Sequence, residues 1–266
     1  MTKHPALFLA ALAAVPLPAS PQDWALARLE KSPRHQEWVG VKHGDRTVQA
    51  FLVYPQTRAK APAVVVIHEN RGLTDWVRGV ADQLAEAGVI AIAPDLLSGS
   101  APGGGRTRDF PTGDAAREAL SKLPPDQVTA DLNAVADHVA GLPAATGKVA
   151  VAGFCWGGTQ SFRFATNRPS LTAAFVFYGT APQDEPALGR IACPVYGFYG
   201  GNDARVNETI PETAAALKRL GKRYEPVTYE GAGHGFMRAG EEPGASEADR
   251  KAREEGWKRW RGLLKP

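Results

Sequence analysis

The chain has 266 residues, a formal net charge of +3 and 44% hydrophobic residues, a length and balance that suit one large α/β domain. Basic and acidic residues are interspersed without a long Lys/Arg run, so nothing points to nucleic acid. The six histidines are scattered without ligand spacing, so no metal site is expected.

The chain opens with Lys3 and His4, then an apolar run over 6–17, then the small residues Ala19 and Ser20. This pattern predicts an export signal over 1–19, cleaved after Ala19, and a periplasmic or secreted protein. The run is too short to span a bilayer, so no stable membrane insertion is expected. Residues 20–35 are expected to form an N-terminal extension, and 36–266 a single domain.

Two alternating β-prone runs, 37–43 and 47–54, flank Gly44-Asp45 and predict an antiparallel hairpin. The continuous apolar run 63–67 predicts a strand buried on both faces. Helical spacing follows over 74–87, then a strand over 89–93. The stretch 96–113 is rich in Gly, Ser, Pro and Arg and predicts a long functional or mobile loop. Helices are expected at 115–122, 126–140, 159–167, 213–220 and 246–264, and strands at 172–178, 195–199 and 224–229. Strands alternating with helices predict a mainly parallel sheet covered on both faces. In such sheets the chemistry collects at the C-terminal strand ends, which selects loops 68–72, 153–158, 201–206 and 230–238.

The stretch Gly153-Phe154-Cys155-Trp156-Gly157-Gly158 follows a short apolar run and precedes a helical segment. Strand, sharp turn and helix is the setting of a nucleophile elbow, with glycines two residues to either side because the backbones pass close there. Cys155 is thereby the candidate nucleophile. A cysteine nucleophile needs a base, and the base needs an orienting group. Asp203 and His234 each follow a predicted strand in a glycine-rich loop, and the order nucleophile, acid, histidine is that of the α/β-hydrolase fold. Cys155 belongs at the C-terminal end of its strand and Cys193 at the N-terminal end of another, roughly 15–20 Å apart. A disulfide needs Cα atoms within about 7 Å, so two free thiols are expected.

His68-Glu69, Ala93-Pro94-Asp95-Leu96, the cysteine elbow, Tyr178-Gly179, Gly201-Asn202-Asp203 and His234-Gly235-Phe236 together resemble the dienelactone hydrolase family of α/β-hydrolases over about 36–264. The resemblance implies that Glu69 interacts with the resting thiol and helps form the thiolate. It implies an oxyanion hole from the backbone N–H groups of Trp156 and Asn70. It also implies that Arg238 binds a substrate carboxylate. The family's first carboxylate-binding arginine has no counterpart, since Ser98-Gly99-Ser100 stands in its place, with Arg71, Arg106 and Arg108 nearby. Trp76, Tyr178 and Phe236 are candidates for an apolar substrate pocket. The expected activity is cofactor-free hydrolysis of lactones or small carboxylic esters through an acyl-thioester on Cys155. Two other readings stay open: a promiscuous esterase that extends to activated phosphoesters, and a binding protein on the same fold.

Overall fold

The structure is a computed structural model and describes residues 23–264. The expected signal at 1–19 lies outside the described residues. In chain order the elements are α1 (Asp23–Glu30), β1 (Gln36–His43), β2 (Arg46–Val53), β3 (Ala61–Ile67), α2 (Asp75–Glu86), β4 (Ile90–Pro94), α3 (Gly113–Ser121), α4 (Pro125–Ala140) and β5 (Ala145–Phe154). Then come α5 (Trp156–Asn167), β6 (Ala174–Phe177), α6 (Glu185–Gly189), β7 (Val195–Gly200), α7 (Ala204–Asn207), α8 (Ile210–Arg219), β8 (Tyr224–Tyr229), α9 (Phe236–Ala239) and α10 (Glu247–Leu264).

The eight strands form one sheet in the order β1-β2-β4-β3-β5-β6-β7-β8. The β1–β2 hairpin turns at Gly44 (φ 51°) and joins β4 antiparallel, while every later pairing is parallel. The period of two along the strands divides the core. Val64, Val66, Phe154, Phe175, Phe177 and Phe198 pack against α1, α2 and α10, whose Trp76, Trp257 and Trp260 make this face largely aromatic. Val65, Ile67, Ile92, Val149 and Val151 pack on the other face against α4, α5 and α8, and that face is mostly aliphatic. The expected mainly parallel sheet, clad on both sides, is what forms.

Residues 23–35 are part of the domain rather than an extension from it. Ala25 and Leu29 are buried against α2 and the aromatic core. Ser32 Oγ and the Arg34 guanidinium donate to the buried Asp82 carboxylate at 2.5, 2.9 and 2.6 Å. Burial pushes that carboxyl up, but the Arg34 and Ser32 hydrogen bonds outweigh it and hold it below its ordinary range. The 96–113 stretch is likewise pinned. Asp95, 1% exposed at the end of β4, accepts hydrogen bonds from Leu97 N, Thr107 N and Thr107 Oγ1 at 3.1, 3.0 and 2.7 Å.

Candidate active site

Cys155 stands between β5 and α5 with φ 56° and ψ −116°, a region that non-glycine residues enter only when their surroundings hold them there. The surroundings do so. A Cβ on Gly153 would lie 2.0 Å from the Gly157 carbonyl oxygen, and one on Gly157 would lie 2.4 and 2.5 Å from those of His68 and Ile67. Only hydrogen fits at either place, so the chain must turn within one residue. Cys155 also immediately precedes the first turn of α5, whose N–H groups have no intrahelical acceptors. Both cysteines are free thiols. Cys193 is buried, and burial pushes its thiol up to about 11.

The loops after β7 and β8 bring Asp203 and His234 together. Asp203, 7% exposed, meets His234 Nδ1 with Oδ2 at 2.5 Å. The His234 side chain also faces Cys155 closely enough for the thiol to govern its titration. Cys155 beside it is the chief reason its pKa is pushed up to about 9; the Asp203 hydrogen bond adds to it and partial burial opposes it. Below about pH 9 the imidazole therefore holds its proton beside the sulfur.

Glu69 and Arg238 differ from expectation. Glu69 Oε2 accepts from Arg238 Nε at 2.9 Å, and Arg238 Nη1 also pairs with Glu242. Burial pushes the Glu69 carboxyl above its ordinary range against the opposing pull of Arg238. In this state Glu69 is bonded to the arginine rather than to the thiol, and Arg238 is turned toward two of the protein's own carboxylates. Arg238 is not among the residues that line the cavity over Cys155.

That cavity measures about 250 Å³ and is lined by Asn70, Cys155, Trp156, Thr159, Tyr178, Thr180 and Arg205, among others. Trp156 and Asn70 both line the same cavity as Cys155. Trp156 is the first residue of α5, so its N–H has no intrahelical acceptor. Tyr178 lines the cavity as well. It is buried at φ 41°, with its ring edge-on to His234 at 5.0 Å, and its hydroxyl has no partner among the described residues. Burial pushes that phenol well above its ordinary value, so it stays a donor.

Two aromatic expectations fail. Trp76 and Phe236 are 1% and 0% exposed and pack inside the aromatic core, Trp76 on Phe154 and Phe236 on Tyr178 and Tyr229. None of the three substitute arginines reaches the cavity either. Arg71 lies over Gly113, Arg106 stacks on Trp38 at 3.6 Å, and Arg108 faces Asp109. The cation that does line it, Arg205, was missed, as was the short helix α7 that carries it. Two larger depressions, about 430 and 450 Å³, lie elsewhere and join no nucleophile to a base.

The family model of the dienelactone hydrolase family matches residues 48–266. The chain belongs to the dienelactone hydrolase family. A Salmonella typhimurium protein named "Putative carboxymethylenebutenolidase" is 33% identical over 226 residues, 79% of each chain. A Klebsiella pneumoniae structure named "Putative Dienelactone Hydrolase" is 25% identical with a TM-score of 0.76, covering 87% of this chain and 98% of that one. A dienelactone hydrolase-like promiscuous phosphotriesterase from metagenomic libraries shares the fold, with a TM-score of 0.72 at 24% identity over 87% of this chain and 97% of that one. The protein is therefore a hydrolase of the lactone and carboxylic ester class, on the α/β-hydrolase fold.

Proposed function

We propose that this dienelactone hydrolase family member cleaves small lactones or carboxylic esters through an acyl-thioester on Cys155. The observation that carries the reading is the hydrogen bond of Asp203 to a histidine that faces a cysteine held in the elbow conformation. The thiol proton already rests on His234, and the thiolate attacks the carbonyl carbon. The oxyanion that forms is stabilised by the N–H groups of Trp156 and Asn70 at the positive end of α5. Imidazolium then protonates the leaving oxygen as the C–O bond breaks, which leaves the acyl-thioester. His234 next deprotonates a water that attacks the thioester, and the acid departs as the thiolate re-forms. For a lactone the alcohol and acid stay joined, and the product is one hydroxy acid.

The cavity of about 250 Å³ favours small acyl and alcohol groups. Glu69 and Arg238 act together in this reading. Their ion pair gives a buried carboxylate close to His234 a resting place, from which it biases the thiol–imidazole proton equilibrium. Likeness to the phosphotriesterase supports a second reading in which activated phosphoesters are also turned over. The apolar run 6–17 supports export, checked by N-terminal sequencing of the protein made in a Gram-negative host; an intact Met1 on active protein counts against it.

Turnover of a panel of lactones, aryl esters and aryl phosphotriesters by the wild type and Cys155→Ala tests the reading. Ester and lactone turnover that vanishes in Cys155→Ala supports it. Turnover that survives the substitution overturns it, and absence of turnover in the wild type returns the binding-protein reading.

A further inference from the structure

His68 directly follows β3, is fully buried, and has no part in the proton transfers described above. Its imidazole touches three pieces of the site at once. Nδ1 lies 2.8 Å from Glu69 O, and Nε2 lies 3.4 Å from Leu96 N. A carbonyl oxygen only accepts and a backbone N–H only donates, so the ring is neutral with its proton on Nδ1. Burial pushes the imidazole pKa down, which keeps it in that form. The ring also stacks on Trp156, with centroids 5.5 Å apart and planes 11° from parallel.

Glu69 O also accepts from Gly72 N at 3.3 Å, so this carbonyl is held by two donors. The Glu69–Asn70 peptide is trans, and in a trans peptide the C=O and the following N–H point in opposite directions. Fixing Glu69 O thus fixes the direction of the Asn70 N–H. Trp156, whose ring rests on the same imidazole, carries the other oxyanion amide. Resting on the reading of Cys155 as the nucleophile and of these two amides as the oxyanion hole, we propose that His68 is the positioning residue of that hole. Through Glu69 O it aims the Asn70 N–H, and through the stacked ring it holds the first residue of α5. His68 is not among the residues that line the cavity, so it acts on the reaction through the two amides.

The test sets two reactions of the same thiol against each other. Hydrolysis of 4-nitrophenyl acetate builds an oxyanion in both acylation and deacylation. Alkylation of Cys155 by iodoacetamide displaces iodide from a methylene carbon and builds none. His68→Phe keeps a ring against Trp156 and removes the bond to Glu69 O; His68→Asn keeps a donor near the place of Nδ1 and removes the ring. In His68→Phe, kcat should fall about tenfold to a hundredfold with KM changed less than about threefold, while alkylation stays within about twofold of wild type. Inhibition by 1,1,1-trifluoroacetone, whose adduct with the thiolate is itself an oxyanion, should weaken by a similar factor. His68→Asn should recover part of each loss. Equal losses in hydrolysis and alkylation overturn the inference, because His68 would then support the nucleophile or the fold; so does undiminished hydrolysis in His68→Phe. Where His68→Phe does not fold, His68→Asn decides by the same split, and parallel losses or none overturn the inference. Ester turnover that survives in Cys155→Ala removes the nucleophile reading instead, an outcome separate from any seen in the His68 variants.

Discussion

Two arginines near Cys155 make opposite use of the same side chain. Arg238, on the loop after β8, is half-buried and holds Glu69 and Glu242. Arg205, on the loop after β7, is exposed and unpaired among the described residues. Both loops meet beside the elbow, Asp203 on one and His234 on the other, so each brings its arginine toward that end of the sheet. What separates them is occupancy. A cation whose donors are already filled by fixed carboxylates belongs to the framework, and removing it strands a buried charge. A cation open to the cavity costs little to leave unpaired.

The largest expected effect would break the comparison by removing its common centre. Cys155→Ala should lower kcat/KM for every ester by roughly three orders of magnitude or more while the protein stays folded. Cys155→Gly should be as inactive yet unfold at higher temperature than Cys155→Ala, since glycine relieves a strain of about 1–3 kcal/mol at φ 56°. An alanine variant that melts above the glycine variant contradicts the strain assignment.

Next in size is the base. The His234 pKa is raised, so its proton is present below about pH 9 and lost above it. Release of a poor leaving group needs that proton, so kcat/KM for an alkyl ester should fall as pH rises through about 9. Cys155 is the larger cause and Asp203 a smaller one. Asp203→Asn should therefore start the fall at lower pH and also cut the rate, by roughly a hundredfold or more. An unmoved alkaline limb would show that it belongs to another group.

The paired arginine gives the sharper test. Arg238→Ala removes the group that opposes the burial of Glu69, so that carboxyl should rise further toward its neutral form. The loss should be about tenfold and equal for charged and neutral esters. A loss confined to charged esters would contradict the framework role of Arg238.

The elbow was legible because its constraints are local. Glycines at 153 and 157 around a single reactive residue, after a buried apolar run, admit few other backbones. The meeting of Asp203 with His234 was legible because both follow strand ends, in chain order after the elbow. The fate of aromatic and charged side chains was not, because it depends on what packs above each loop. Trp76 and Phe236 adjoin catalytic loops in sequence, yet α10 and the aromatic face of the sheet draw them inward. Residues 23–35 read as an appendage because eight helical residues give a weak periodic signal, while Asp82, the acceptor that fixes them, lies on α2. The unpaired state of Arg205 has no sequence signature at all. Seeing it requires knowing that Arg238 has both carboxylates.

The central claim is that Cys155 carries the acyl group, and rapid-quench mass spectrometry tests it most directly. Wild-type enzyme mixed with excess 4-nitrophenyl acetate and quenched in acid within the burst should gain one acetyl group, mapped to the peptide with Cys155 and removed by hydroxylamine. His234→Ala should accumulate it far more slowly. Acetyl on Cys193 or on a hydroxyl residue, or steady turnover with no covalent adduct at any quench time, would contradict the account.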